Sequence, residues 1–193
     1  MSRDFLNNRP DSEIYMYTCG EGNYWFYHKN SYPNNQPLLY SRLINEATEH
    51  IEIWDPHFNI KDSSDGDHLL FGSIKQNVTL KILTLKGANA PLFEKIVPAF
   101  KSIIMSSYNI RFGMRFINTG VALNNNWKFH DRFLIIDQTE VYLIGSSIGW
   151  HIRPSGSTGI FRVQNRTTVE FIQSLFKTYW DFASSLEIPV QYL

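Results

Sequence analysis

Two hydrophobic periods alternate along this chain, and their order predicts its architecture. Period-two or continuously apolar runs at residues 13–18 and 24–27 predict two strands around the turn Gly20-Glu21-Gly22-Asn23. After a Pro- and Asn-rich loop at 29–36, Leu38, Leu39, Leu43, Ile44 and Ala47 form a helical stripe over 37–50. Strand 51–54 follows and ends in Asp55-Pro56-His57-Phe58. A polar loop at 62–67 and a short helix at 68–76 lead to a strand at 78–85. A second helix over 91–107 carries Phe93, Ile96, Val97, Phe100, Ile103 and Ile104, and Pro98 predicts a kink in it. Strand 110–117, loop 118–126, a hairpin, strand 159–163 and a helix at 167–186 complete the chain. This succession predicts an α/β fold, a mixed β-sheet flanked by helices.

Composition narrows the class without changing that order. A chain of 193 residues with 43% hydrophobic and 15% aromatic content supports one sizeable core. The lone Cys19 excludes an intrachain disulfide and a multi-cysteine zinc site, and it fits a reducing, cytoplasmic setting. No apolar run approaches the roughly 20 residues of a membrane span. Net charge is zero, which argues against a strongly electrostatic nucleic-acid binder. The charge is unevenly placed, however. Between Lys95 and Lys177 ten basic residues face four acidic ones, a balance of +6, whereas residues 1–60 carry −4. The C-terminal half is the half suited to an anion.

That half contains His130-Asp131-Arg132-Phe133-Leu134-Ile135-Ile136-Asp137, then the turn Gln138-Thr139-Glu140, the strand Val141-Tyr142-Leu143-Ile144 and Gly145-Ser146-Ser147. Alternation along a strand puts His130, Arg132 and Leu134 on one face. An imidazole, which can act as a covalent nucleophile, then stands beside a guanidinium whose planar fork suits two phosphate oxygens. The hairpin returns Ser146 and Ser147 to the level of His130, as further ligands for a phosphate oxygen. His-x-Arg alone is common by chance; Asp137, the Gly-Ser exit and the element order together give the pattern its weight. Asp137 is read as fixing the turn or pairing with a cation. Other chemistry is thin. Asp55 and His57 are of metal-ligating type but stand without a His/Cys cluster, and the acidic loop 62–67 has no closing glutamate for calcium. No metal or cofactor is expected.

The stretch resembles the H-x-K-x-x-x-x-D signature of the phospholipase D-like superfamily, and the resemblance spans roughly residues 37–185. The strand ending in Asp55-Pro56-His57-Phe58 is similar to the family's first core strand, and the closing helix with its late Trp180 to the helix after its active-site hairpin. Residues 1–36 have no counterpart in it; residues 37–193 form the family's half-domain, in one compact unit with that extension. The resemblance implies a metal-independent phosphodiesterase, most simply a nuclease. One histidine attacks phosphorus and a second, from another copy of the motif, protonates the leaving oxygen. With one motif per chain, this implies a C2 homodimer in which two His130 side chains face one cleft. His130 is then nucleophile and, from the partner, general acid, while Arg132 and Ser147, with Ser146 as second choice, hold the phosphate.

Three departures stand against the family pattern. Arg132 replaces lysine, the asparagine after the Gly-Ser is absent from Gly145-Ser146-Ser147-Ile148-Gly149-Trp150, and no acidic residue precedes the last strand at 155–160. Asp55 and Glu170 are the carboxylates available to orient the histidine instead. The His-Asp-Arg form also resembles the C-terminal domains of eukaryotic MIT-domain proteins, which bind phosphoinositide membranes. A catalytically silent module for phosphate groups of nucleic acid or lipid is therefore the alternative, and an interaction scaffold the third reading. Tyr108, Trp127 and Trp150 are candidates for stacking bases. The helices carry core-like stripes, so a lipid headgroup is the less favoured ligand.

Overall fold

Ile51 and Ile53 point to one side of a strand, and Glu52 and Trp54 to the other, yet all four are buried. A strand covered on both faces belongs in the middle of a sheet with layers on either side. The computed structural model describes residues 15–19, 22–28, 43–58, 74–86, 111–118, 129–145, 147 and 157–185. Within them lie β1 (Tyr15–Cys19), β2 (Gly22–His28), β3 (His50–Trp54), β4 (Thr79–Lys86), β5 (Arg111–Asn118), β6 (Phe133–Ile136), β7 (Glu140–Ile144), β8 (Ser157–Val163), α1 (Arg166–Phe182) and the two-residue β9 (Ser184–Ser185).

All nine strands form one mixed sheet in the order β1-β2-β8-β7-β6-β3-β4-β5-β9. β3, β4 and β5 run parallel, and every other neighbour pair is antiparallel. The N-terminal hairpin β1-β2 extends this sheet by pairing β2 with β8, Trp25 opposite Ile160.

Helix α1 covers one face. Asn165 caps its start by accepting from Thr168 N at 3.0 Å, so the helix begins one residue before the predicted Thr167. Its buried stripe is Val169, Ile172, Phe176 and Trp180. It ends at Phe182, four residues short of the expected end, because Ala183 turns extended and Ser184–Ser185 pairs with Arg115 and Phe116 of β5. Trp180 lies across Gly113 of β5, where an added Cβ would stand 3.3 Å from the indole ring. At the other end of this face, Trp54 packs against Phe129, Phe133, Phe176 and Tyr179, with ring centroids 5.0–6.3 Å apart.

Three further predicted boundaries move. Residues 43–46 are helical, but 47–49 are not, and His50 already belongs to β3. Residues 74–75 are irregular and 76–77 form a turn rather than the end of a helix, with Asn77 in the left-handed region at φ 69°. The hairpin turns at Asp137 and Gln138, both at φ 50°, with Thr139 N donating to Ile136 O at 3.1 Å, so Glu140 belongs to β7. The predicted helix 91–107, the loop 62–67 and residues 68–73 lie outside the described residues.

Asp137 explains the first and third of these shifts. Its carboxylate accepts from the backbone N–H groups of Thr48, Glu49 and His50 at 2.8–3.0 Å and from the Thr48 hydroxyl at 2.9 Å. These are the donors that a helix continuing to residue 50 would have used internally. Asp137 N also donates to His50 O at 2.8 Å. The predicted role of fixing a turn is what the contacts display, extended to a chain segment 87–89 residues away.

Burial pushes the Asp137 carboxyl up, but the hydrogen bonds from His50, Glu49 and Thr48 outweigh it and hold the group below the ordinary aspartate value. A depressed folded-state pKa stabilises the protein above the unfolded value, about 3.9. The contribution fades as pH falls from there through the lower folded value. Asp137→Ala is expected to cost about 2 kcal/mol at pH 7 in urea unfolding, since it strips a charged acceptor from several donors. Asp137→Asn should show a shallower loss of stability than the parent between about pH 4 and pH 2.

Candidate phosphate site

The ends of four strands meet where the parallel strands finish. β3 and β4 leave the sheet there, β6 enters it and β7 exits, so Asp55, Arg132 and Ser147 converge at one edge. In sheets of this kind the carboxyl ends of parallel strands are where ligands bind.

Asp55 is anchored first. Its N–H donates to Leu83 O at 3.0 Å, continuing the parallel ladder for one residue beyond β3. The following Pro56 favours an extended Asp55, and the chain then turns with Phe58 N donating to Asp55 O at 3.2 Å. The carboxylate Oδ1 accepts from His57 N at 2.9 Å, an Asx-turn. Its neighbour Trp54 lies on the opposite face in the aromatic cluster, so the side chain has no freedom to swing out.

Asp55 has no exposed surface. A buried carboxylate demands partners, and two come from the hairpin. Ser147 Oγ donates to Asp55 Oδ1 at 3.0 Å. Arg132 Nε lies 3.5 Å from the same oxygen and donates to Ser147 Oγ at 3.2 Å. The three side chains close a triangle in which the hydroxyl gives its proton to the carboxylate and accepts one from the guanidinium. Arg132 Nη1 reaches the His130 carbonyl at 3.4 Å, and Arg132 O accepts from Ile144 N at 2.9 Å. The Arg132 side chain keeps 22% of its surface exposed. Nη2 has no partner among the described residues.

His130 is exposed beside this triangle. It precedes β6, which begins at Phe133, so the predicted strand placement of residues 130–132 is corrected. What sets their direction is Phe129, 94% buried and edge-on to Trp54 and Tyr179, together with the Arg132–Ile144 hydrogen bond.

The structure brings His130, Arg132, Ser147 and Asp55 to one edge, with altered roles for two of them. Ser147 is 7% exposed and turned inward, its hydroxyl engaged by Asp55 and Arg132, and not presented outward as a phosphate ligand. Asp55, expected to orient the histidine, holds the arginine and the serine instead. Glu170 does not join the site: it stands on the exposed side of α1, its carboxylate 2.8 Å from Arg166 Nε. Asp137 lies at the far end of the hairpin. Ser146, Tyr108, Trp127 and Trp150 lie outside the described residues. Sequence reasoning missed Thr84. Its hydroxyl is fully buried without a hydrogen-bond partner among the described residues, and the Trp54–Leu83 register sets it next to Asp55. A polar residue closing the apolar run 78–85 was the available signal.

No protein-family model matches the sequence, and no curated protein does. Solved structures do. Nuc from Salmonella typhimurium, a phospholipase D family member, matches at TM-score 0.52 and 16% identity, over 78% of this chain and 90% of Nuc. NucT from Helicobacter pylori matches at TM-score 0.51 and 12% identity, over 86% of this chain and all of NucT.

The fold is phospholipase D-like.

Phosphatidylserine synthase from Haemophilus influenzae Rd KW20 shares it at TM-score 0.53 and 13% identity, over 86% of this chain but only 40% of the synthase. Identities at this level establish the fold and not the chemistry, which rests on the side chains of this chain.

Ser147→Ala removes one of the donors to a carboxylate that has no exposed surface. It is expected to lower the unfolding free energy by about 1–3 kcal/mol, read by urea denaturation. The same substitution at exposed Ser174 should cost less than about 0.5 kcal/mol.

Proposed function

We propose that this chain is a metal-independent phosphodiesterase acting on nucleic acid, with His130 as nucleophile and a second copy of the chain completing the site. The observation that carries the reading is an exposed imidazole two residues from a guanidinium that is clamped on one side and open on the other, at the ligand-binding edge of a phospholipase D-like sheet. Arg132 receives the phosphate on its open side. A ring nitrogen of His130 attacks phosphorus, forming a P–N bond as the P–O bond to the leaving group breaks. The protonated His130 of the second copy gives its proton to the departing oxygen. Neutral again, it takes a proton from water as water attacks phosphorus, and the P–N bond breaks. Two-fold symmetry supplies both histidines from one motif per chain.

Fold neighbours named for a phospholipase D and for phosphatidylserine synthesis support phosphodiester chemistry. The excess of basic residues between Lys95 and Lys177 supports a polyanionic substrate. A silent phosphate-binding module is the second reading. It is favoured by one observation: Asp55, a buried carboxylate at this edge, is engaged by Arg132 and Ser147 rather than by His130.

Labelled single- and double-stranded DNA and RNA, incubated with the protein in EDTA, separate the two. Cleavage is expected, with a base-stable, acid-labile phosphoenzyme that His130→Ala abolishes along with about a thousandfold or more of the rate. Absence of cleavage, with binding lost in Arg132→Ala, would establish the silent module. If the protein neither cuts nor binds, nucleic acid is eliminated, and vesicles carrying phosphoinositides are the next probe.

A further inference from the structure

We infer that Asp55 and Arg132 work as an obligate pair: Asp55 is a positioning residue that holds the guanidinium by its Nε side so that the Nη2 end takes the phosphate, and lysine cannot stand in for Arg132 in this chain. The inference rests on the phosphate-binding reading above and adds to it a residue and a constraint.

A buried carboxylate demands compensation. Asp55 has no exposed surface, and its Oδ1 faces His57 N, Ser147 Oγ and Arg132 Nε at 2.9, 3.0 and 3.5 Å. A cation placed beside such a group is drawn toward it, because little solvent screens the pair. Arginine meets this pull without surrendering its function, since its donors point along separate edges of a rigid plane. Nε serves the Asp55–Ser147 side and Nη1 the His130 carbonyl. Nη2 remains, on a side chain that is 22% exposed.

A lysine at this position has one compact ammonium. Drawn to Asp55, it leaves nothing charged at the open side; drawn to a phosphate, it gives up its contact with the buried carboxylate. Ser147 is the spacer that sets the guanidinium plane, which explains why its hydroxyl is buried rather than offered to a ligand.

Titration with inorganic phosphate, followed by NMR on the nitrogen-15-labelled full chain, tests this directly. In the parent protein the Arg132 Nε–H should give a resolved signal protected from water exchange, and phosphate should shift the Nη resonances more than Nε. Arg132→Lys should weaken phosphate binding by about tenfold or more. Asp55→Asn/Arg132→Lys, in which the ammonium is released from the buried charge, should bind within about threefold of the parent. A merely structural Asp55 would make the double variant weaker than Arg132→Lys alone. That result would overturn the inference, as would Arg132→Lys binding phosphate as well as the parent. If Asp55→Asn chains do not fold, the comparison of Arg132→Lys with the parent and the Nε–H signal still decide it. Failure of the parent itself to bind phosphate would remove the phosphate site altogether, an outcome distinct from a lysine variant that binds normally.

Discussion

A carboxylate closed off from water is the constraint around which this edge of the molecule is built. Asp55 cannot remain charged there without donors, and besides the adjacent His57 N–H it finds side-chain partners on a hairpin up to 92 residues further along the chain. Satisfying it fixes three things together: where β3 stops, where the chain enters β6, and how the exit of β7 folds back. The aromatic cluster around Trp54 makes the arrangement stiff from beneath. Trp54 and Asp55 are consecutive and point to opposite faces, so packing of the indole against Phe129, Phe133, Phe176 and Tyr179 also fixes the carboxylate. Phe129 does the same for His130. The polar site is held by an apolar one on the other side of the sheet.

The second carboxylate of consequence, Asp137, does comparable work at the opposite end of β6. It draws in the chain before β3 by three backbone donors and a hydroxyl, and it stabilises its own unfavourable backbone angle in doing so. The motif's own aspartate is thus architectural, while an aspartate outside the motif holds Arg132.

Much of the fold was legible in the chain because each strand had its own period and each helix its stripe. The core strand at 51–54, the strand at 78–85, the hairpin and the final helix fall within a few residues of their expected places. The boundaries that failed were those settled by distant partners. Nothing near His50 announces that Asp137 will take the N–H groups of residues 48–50, and nothing near Leu186 announces that Ser184–Ser185 will pair with β5. The site followed the same rule. His130 and Arg132 were readable because motif spacing is local. That Asp55 would claim Arg132 and Ser147 was not, because it depends on the antiparallel pairing of β3 with β6, a fact about the sheet rather than about either segment.

The pairing of β3 with β6 has a carboxylate at each end: Asp137 gripping the entry to β3, and Asp55 at its exit gripping the hairpin. Two strands clamped at both ends cannot slide. A slip of one residue would exchange Leu134 and Ile136 with Phe133 and Ile135 between the two buried faces and strand both charges without donors, so near-miss registers are separated from the native one by a steep gap. Both clamps close loops of nearly ninety residues or more. The pairing is therefore long-range, and the entropy of closing those loops must be met before either clamp can reward it.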